Sequence, residues 1–249
     1  MVYMRIIIPQ NIKILNFVSQ KSKIMRVPSK LTAYDLRKNL KVPKEKIKIV
    51  NEGVDLGVPE PPVLHEGINI LCVARIAPNK GHDVLLSAFR TIKHKYPNSK
   101  LYLVGGISKD NKKYFQKLKD LVETFGINDV IFTNHMIDAE LKMYYRISDI
   151  YVQPSIGEEG WGITITEAYC HRLPVVCTEI FRETGVADEE RALVVRGGAS
   201  DQLAEAIEVL IKDRSMREKI SEKGYLFAKN LSWEKMSKNI LHIVEEALK

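Results

Sequence analysis

From Ile68 onward, short apolar runs alternate with segments in which apolar residues recur every three or four positions. Ile68–Ala74 (INILCVA) predicts a strand buried on both faces, after which Val84, Leu85, Ala88, Phe89 and Ile92 fall on one helical face. KLYLVGG, a helical pattern through Phe115, Leu118 and Leu121, then DVIFT, a helical pattern from Leu141 to Ile147, and DIYVQP follow in turn. A loop and a helix-like run ending near His171 lead to a further strand, Leu173–Cys177. The chain closes on helices, one with Leu203, Ala206, Ile207, Leu210 and Ile211 on a single face and another after Ser232-Trp233. Strand-like runs separated by helical patterns predict an α/β fold with a doubly wound, Rossmann-like parallel sheet.

The chain before Ile68 is patterned differently. Residues 1–23 fit a short helix or a strand equally well. Lys23–Val27 reads as a strand that Pro28-Ser29 breaks, and Ser29 is placed to cap a helix through Leu31, Ala33, Leu36 and Leu40. Lys46–Val50 alternates Ile with Lys, as a half-exposed strand does. The segment 51–66 is rich in proline and glycine, with Pro61 and Pro62 consecutive, which is linker composition. The expected organisation is an N-terminal unit at 1–50, a linker at 51–66, a main domain at 67–231 and a closing helix at 232–249. On that helix Met236, Ile240, Val244 and Leu248 form a stripe expected to cross back to the N-terminal part.

Composition narrows the class. A chain of 249 residues that is 45% hydrophobic is of ordinary globular make-up. No apolar run approaches the roughly 20 residues of a membrane span, and Ile6–Ile8 is too short for a signal-peptide core. Cys72, Cys170 and Cys177 share no metal or redox spacing, which favours reduced thiols in a cytoplasmic protein. The net charge of +7 is unevenly spread: residues 1–50 carry 12 Lys and Arg against Asp35 and Glu45, a net of +10, leaving −3 for the remainder. Such a face suits an anionic membrane surface, at whose periphery the chain would sit, or is simply a solvated lysine-rich surface. A nucleic-acid partner is disfavoured, because no RGG tract, zinc knuckle or interleaved aromatic and basic residues accompany the charge.

In doubly wound sheets ligands bind beyond the carboxyl ends of the strands. The candidate residues sit in those loops: Arg75 after the first main-domain strand, Gly105 after the second, Asn134 after the third and Ser155 after the fourth. Arg75 opens a loop that Lys80-Gly81 closes, and two fixed cations aimed at one crevice suit a diphosphate. Val152–Thr178 carries Gly157, Gly160 and Gly162 before a helix start, the composition of an anion site. Glu159 and Glu167 bracket it and are better suited to hydroxyls, as on a ribose or a sugar, than to phosphates. A nicotinamide dehydrogenase fits poorly, since LVGGISKD is not GxGxxG.

Arg75-x4-Lys80-Gly81 followed by Glu159-x7-Glu167 resembles the retaining glycosyltransferases of family 4 (group 1), which have the GT-B fold. SKLTAYDLRKNLKVPKEKIKIVNEGVD, Val152–Ser155, GWGITITEA, LPVV and LSWEK agree, and the likeness runs from about Lys23 to the C-terminus. The resemblance implies the C-terminal, nucleotide-sugar-binding half of a GT-B enzyme plus a remnant of its acceptor-binding domain. It implies transfer of a hexose from a nucleotide-diphosphate sugar with retention at the anomeric carbon, and neither a cofactor nor a metal. Arg75 and Lys80 would hold the diphosphate, and Glu159 the donor sugar at the reaction centre. Glu167 would hold the ribose, with amides around Trp161, Gly162 and Ile163 serving sugar and phosphate, and Thr133–Met136, including Asn134 and Met136, meeting the base. Gly105, at its strand end, completes the donor contacts expected. With most of the acceptor domain lacking, the chain would be an enzyme with a reduced acceptor site, or one whose lipid-linked or protein acceptor site is completed by a partner subunit or a second copy. The alternative is a non-catalytic nucleotide-sugar-binding subunit. The chain departs from the family at Arg172 and Glu179-Ile180, where glycines are usual. Arg172 would be either a solvated helix-end cation or a third charge near the site.

Overall fold

The structure is a computed structural model describing residues 16–56, 61, 63–157 and 159–248, so parts of the expected N-terminal unit and linker (1–15, 57–60 and 62) lie outside the described residues. After a helical stretch at 16–21, strand β1 (Met25–Val27), helix α1 (Lys30–Leu40) and strand β2 (Ile47–Ile49) follow. The Ser29 hydroxyl caps α1 by accepting from the Thr32 amide at 3.1 Å. β1 and β2 pair in parallel as a two-stranded sheet of their own.

The second sheet is built from β3 (Ile68–Val73), β4 (Ser99–Val104), β5 (Val130–Thr133), β6 (Ile150–Gln153), β7 (Val175–Thr178) and β8 (Ala192–Val195). Helices α2 (His82–Lys95), α3 (Lys112–Phe125), α4 (Asp138–Arg146), α5 (Ile163–Cys170) and α6 (Ile180–Thr184) connect successive strands, and α7 (Ser200–Lys212), α8 (Arg214–Ala228) and α9 (Trp233–Leu248) end the chain. All pairings are parallel, in the order β5-β4-β3-β6-β7-β8. Winding starts at β3, runs outward to β5, then returns to β6 on the other side. The reversal between β3 and β6 opens a crevice at their carboxyl ends.

Both faces are covered, which is why the strands read as continuous apolar runs rather than alternating ones. Ile70, Cys72, Leu101, Leu103 and Val152 enter a core with α2, α3 and α7. Leu71, Val73, Tyr151, Val175 and Cys177 enter the other, with α5, α6 and the end of α8. The cysteines are free and buried, and burial pushes the Cys72 thiol up to about 12. β8 and α6 have no counterpart in the expected elements: ALVV is four residues between charged neighbours, too short to stand out.

Helix α9 contacts the N-terminal part, but not along the stripe of Met236, Ile240, Val244 and Leu248. The Lys23 ammonium donates to the Ala247 carbonyl at 2.9 Å, Lys48 pairs with Glu246 at 2.9 Å, and the Gly53 amide meets the Met236 sulfur at 3.2 Å. Met236, Ile240, Ile243 and Ala247 are partly covered, whereas Val244 and Leu248 are 47% and 79% exposed. A spacing of four drifts by about 40° per step around a helix of 3.6 residues per turn, so the facing row alternates steps of four and three.

Candidate functional site

The two loops flanking the switch point are locked together. A Cβ on Gly81 would lie 2.1 Å from the Pro154 carbonyl oxygen, so only glycine permits this approach, and its φ of +69° is in the left-handed region. The Ile156 amide donates to the Asn79 carbonyl at 2.9 Å across the same seam. Gly105 serves a similar end: a Cβ there would lie 2.0 Å from the Ala74 oxygen, so it lets the β4 exit back the start of the Arg75 loop.

Arg75, Lys80, Glu159, Trp161, Gly162, Ile163 and Thr164 line one crevice of about 360 Å³. Arg75 is exposed there, while Lys80 and Glu159 form an ion pair at 2.7 Å, their side chains only 13% and 10% exposed. Ser155 donates to the same carboxylate oxygen, Oε1, at 2.5 Å. One wall therefore holds a compensated charge pair, with the exposed cation Arg75 beside it. Gly162, with φ of +115° and no side chain to cap the helix, precedes α5, and Gly162, Ile163 and Thr164 at this uncapped start line the crevice. A Cβ on Gly162 would crowd Phe181 and Val186 at 3.1 Å. Trp161 is 4% exposed, stacks at 6.4 Å on Phe227, and accepts from the Thr184 hydroxyl at its carbonyl. Its buried ring anchors the loop against α8.

Glu167, one turn on, faces a neighbouring cavity of about 220 Å³ that shares Ile163 with the crevice and is also lined by Asp138, Leu141, Tyr145 and His171. The Tyr145 hydroxyl donates to Glu167 at 2.8 Å, and the Tyr145 ring stacks on His171 at 4.9 Å. Burial raises the Glu167 carboxyl above the usual range, the Tyr145 hydrogen bond opposes this, and Asp138 adds to it.

Three expected donor contacts fall outside these cavities. Gly105 acts through the backbone of the Arg75 loop. Asn134 is exposed on the loop after β5, and Met136 packs against the core with Leu141 and Tyr144. Arg172 is the helix-end cation: it has φ of +55°, pairs with Glu222 and stacks on Tyr225 at 3.9 Å, on α8. Glu179 turns from the crevice to accept from the Gly197 amide at 2.7 Å. Sequence reasoning missed two contributions. Pro28 and Glu52 reach the crevice from the carboxyl ends of β1 and β2, with Glu52 held by Arg26 at 2.9 Å. Behind Ser155 lie Tyr151, Gln153 and Thr164, whose hydrogen bonds form a buried chain.

A six-stranded doubly wound parallel sheet with Arg75, Lys80, Glu159 and the start of α5 gathered at its switch point is a GT-B-like α/β domain. Residues 60–227 match the family described as glycosyl transferases group 1, and the chain belongs to that family. Among similar proteins, a GDP-mannose-dependent α-(1-6)-phosphatidylinositol monomannoside mannosyltransferase of Mycobacterium tuberculosis is 29% identical over 163 residues, covering 61% of this chain and 40% of the relative. Mannosylfructose-phosphate synthase of Agrobacterium fabrum is 29% identical over 188 residues, covering 72% and 41%. The chain thus spans about two fifths of the length of these relatives. Anabaena HepE in complex with UDP and glucose superposes with a TM-score of 0.87 at 18% identity, over 95% of this chain and 67% of that one. The C-terminal domain of a group 1 glycosyl transferase family protein (LpcC) from Francisella tularensis gives 0.64 at 26% identity, over 72% of this chain and 97% of that one.

Proposed function

We propose that this chain is the donor-binding part of a retaining glycosyltransferase that moves a hexose from a nucleotide-diphosphate sugar to an acceptor. The observation that carries the reading is the convergence of Arg75, Lys80, Glu159 and the α5 start on one crevice at the switch point. The diphosphate lies against Arg75, Lys80 and the first amides of α5, where positive charge and oriented N–H groups meet the charge that builds on the leaving group. The sugar lies against Glu159, whose carboxylate accepts from its hydroxyls. The ribose reaches Glu167 in the adjoining cavity, and the base extends toward Thr133–Met136. Transfer is front-face: the acceptor oxygen bonds to the anomeric carbon on the side from which the diphosphate departs, and the diphosphate takes the acceptor proton. No resident cofactor or metal enters this scheme.

The Lys80 ammonium carries three protons, so it can keep its bond to Glu159 Oε1 at 2.7 Å while donating to phosphate as the donor enters. The second oxygen of Glu159 is then the one that meets the sugar hydroxyls.

The acceptor side would be supplied in part by Pro28 and Glu52 and in part by a partner subunit, a second copy or chain beyond the present sequence. Among the described residues no helix is long and apolar enough to cross a membrane. The +10 charge of residues 1–50 and the exposed Leu241, Val244 and Leu248 of α9 support peripheral membrane contact and a lipid-linked acceptor. Incubation with UDP-glucose, GDP-mannose and ADP-glucose, each with octyl glucoside as a surrogate acceptor, followed by proton NMR of the anomeric signals of the glycoside formed, tests the reading. Nucleoside diphosphate release with retained configuration is expected. An inverted product would refute the front-face scheme, and binding without turnover would favour the non-catalytic subunit.

A further inference from the structure

Tyr151, Gln153 and Ser155 occupy alternate positions along β6 and its exit, so their side chains leave the same face of the sheet. They are 0%, 3% and 1% exposed, in a layer that a two-sided parallel sheet normally fills with aliphatic residues. Polar groups buried in this way are kept only when fully paired. The pairing here runs in a single direction.

The Tyr151 hydroxyl donates to Gln153 Oε1 at 2.6 Å, its contact to the Val73 carbonyl being longer at 3.4 Å. The Thr164 hydroxyl donates to the same Gln153 oxygen at 3.3 Å. Two donors on Oε1 fix the amide's orientation, so Nε2 donates to Ser155 Oγ at 3.1 Å. Ser155, having accepted, has one proton to give, and it goes to Glu159 Oε1 at 2.5 Å. Lys80 donates to that oxygen as well, at 2.7 Å.

We propose that Gln153 is a positioning residue for Glu159. By occupying the acceptor side of Ser155 it commits the serine proton to Oε1, which turns the other carboxylate oxygen toward the crevice and a sugar hydroxyl. The sugar hydroxyl rests on the transferase reading above; the link from Gln153 through Ser155 to Glu159 does not.

The test is a double-mutant cycle of Gln153→Met, Ser155→Ala and the double variant, with Gln153→Leu in reserve if the methionine variant does not fold. Kinetics use whichever of UDP-glucose and GDP-mannose the wild type turns over. Each single variant should lower kcat about 10-fold, the scale of one hydrogen bond to a charged group, with donor KM within about twofold. Gln153→Met should add nothing once Ser155 is alanine, because the two act as one unit. Multiplying effects, or KM and kcat falling together, would show that Gln153 only supports the fold. If the wild type turns over neither of these nor ADP-glucose, the transferase reading fails by itself. The same cycle read in unfolding free energies still decides the link: non-additive losses sustain it and additive ones overturn it.

Discussion

Replacing Lys80 by methionine should expose how the crevice is balanced. The substitution keeps most of the stem and removes the charge that faces Glu159 at 2.7 Å. Both partners are nearly buried, at 13% and 10% side-chain exposure, so water can do little to replace the lost cation. Removing one member of a buried pair costs about 3–5 kcal/mol. The Ser155 hydroxyl stays on the carboxylate, which places the expected loss near the lower end, at about 3 kcal/mol. For a chain of this size that is a fall in melting temperature of about 6–12 °C. Adding Glu159→Gln removes the stranded charge but keeps an oxygen for Ser155, and should return the double variant to within about 1 kcal/mol of wild type. Diphosphate binding should stay lost in both, because the lysine is missing from both. Melts with and without saturating UDP or GDP read the two effects together. A Lys80→Met variant that melts within 2 °C of wild type (about 1 kcal/mol or less), or a double variant no more stable than that single one, would refute the reasoning.

Arg75→Ala should leave the fold intact, since Arg75 is exposed, yet cut transfer by about 10²-fold or more, the scale for losing one preorganised charge; wild-type turnover would move the diphosphate elsewhere. Glu159→Gln should lower kcat with nucleoside diphosphate affinity nearly unchanged, whereas Glu167→Gln should weaken nucleotide and nucleotide-sugar alike, and equal losses in calorimetric titrations would overturn the division. Glu167 also carries a pH signature. Its folded pKa lies above the ordinary 4.5, so the folded state binds its proton more tightly and its contribution is lost as pH rises from near 4.5 through the folded value. Glu167→Gln, which stays neutral, should therefore gain melting temperature over wild type at pH 7 relative to the difference at pH 4, and a gain confined to pH 4 would reverse the sign. On α9, Leu241→Glu with Val244→Glu should melt close to wild type but abolish cosedimentation with phosphatidylglycerol-containing vesicles; unchanged cosedimentation would place membrane contact on another face.

Much of the sheet could be read in advance because two-sided burial writes itself as short apolar runs, as in INILCVA and DIYVQP. Arg75, Lys80 and Glu159 meet because each lies just beyond the carboxyl end of β3 or β6, and those strands are neighbours only through the winding order. Other features had no such signal. Gln153 looks like the polar end of a strand, and its partners are set by sheet register and by the entry of α5. Glu52 belongs to a different sheet, and nothing in its local pattern says that β2 ends over the crevice. Met136 lies in a loop suited to base contact, yet it is partly buried and packs against the core, which its local pattern does not announce. The α9 stripe misled because a regular spacing of four is not the repeat of the helix.

A thermal-shift panel of UDP, GDP and ADP, run on wild type and on Arg75→Ala, tests the central claim most directly. A nucleotide at ~100 times its dissociation constant adds about 2.7 kcal/mol of stability, which is about 5–10 °C for a chain of this length. At least one of the three should give that shift in wild type and lose most of it in Arg75→Ala. No shift with any nucleotide, or an equal shift in both proteins, would contradict a diphosphate site in this crevice.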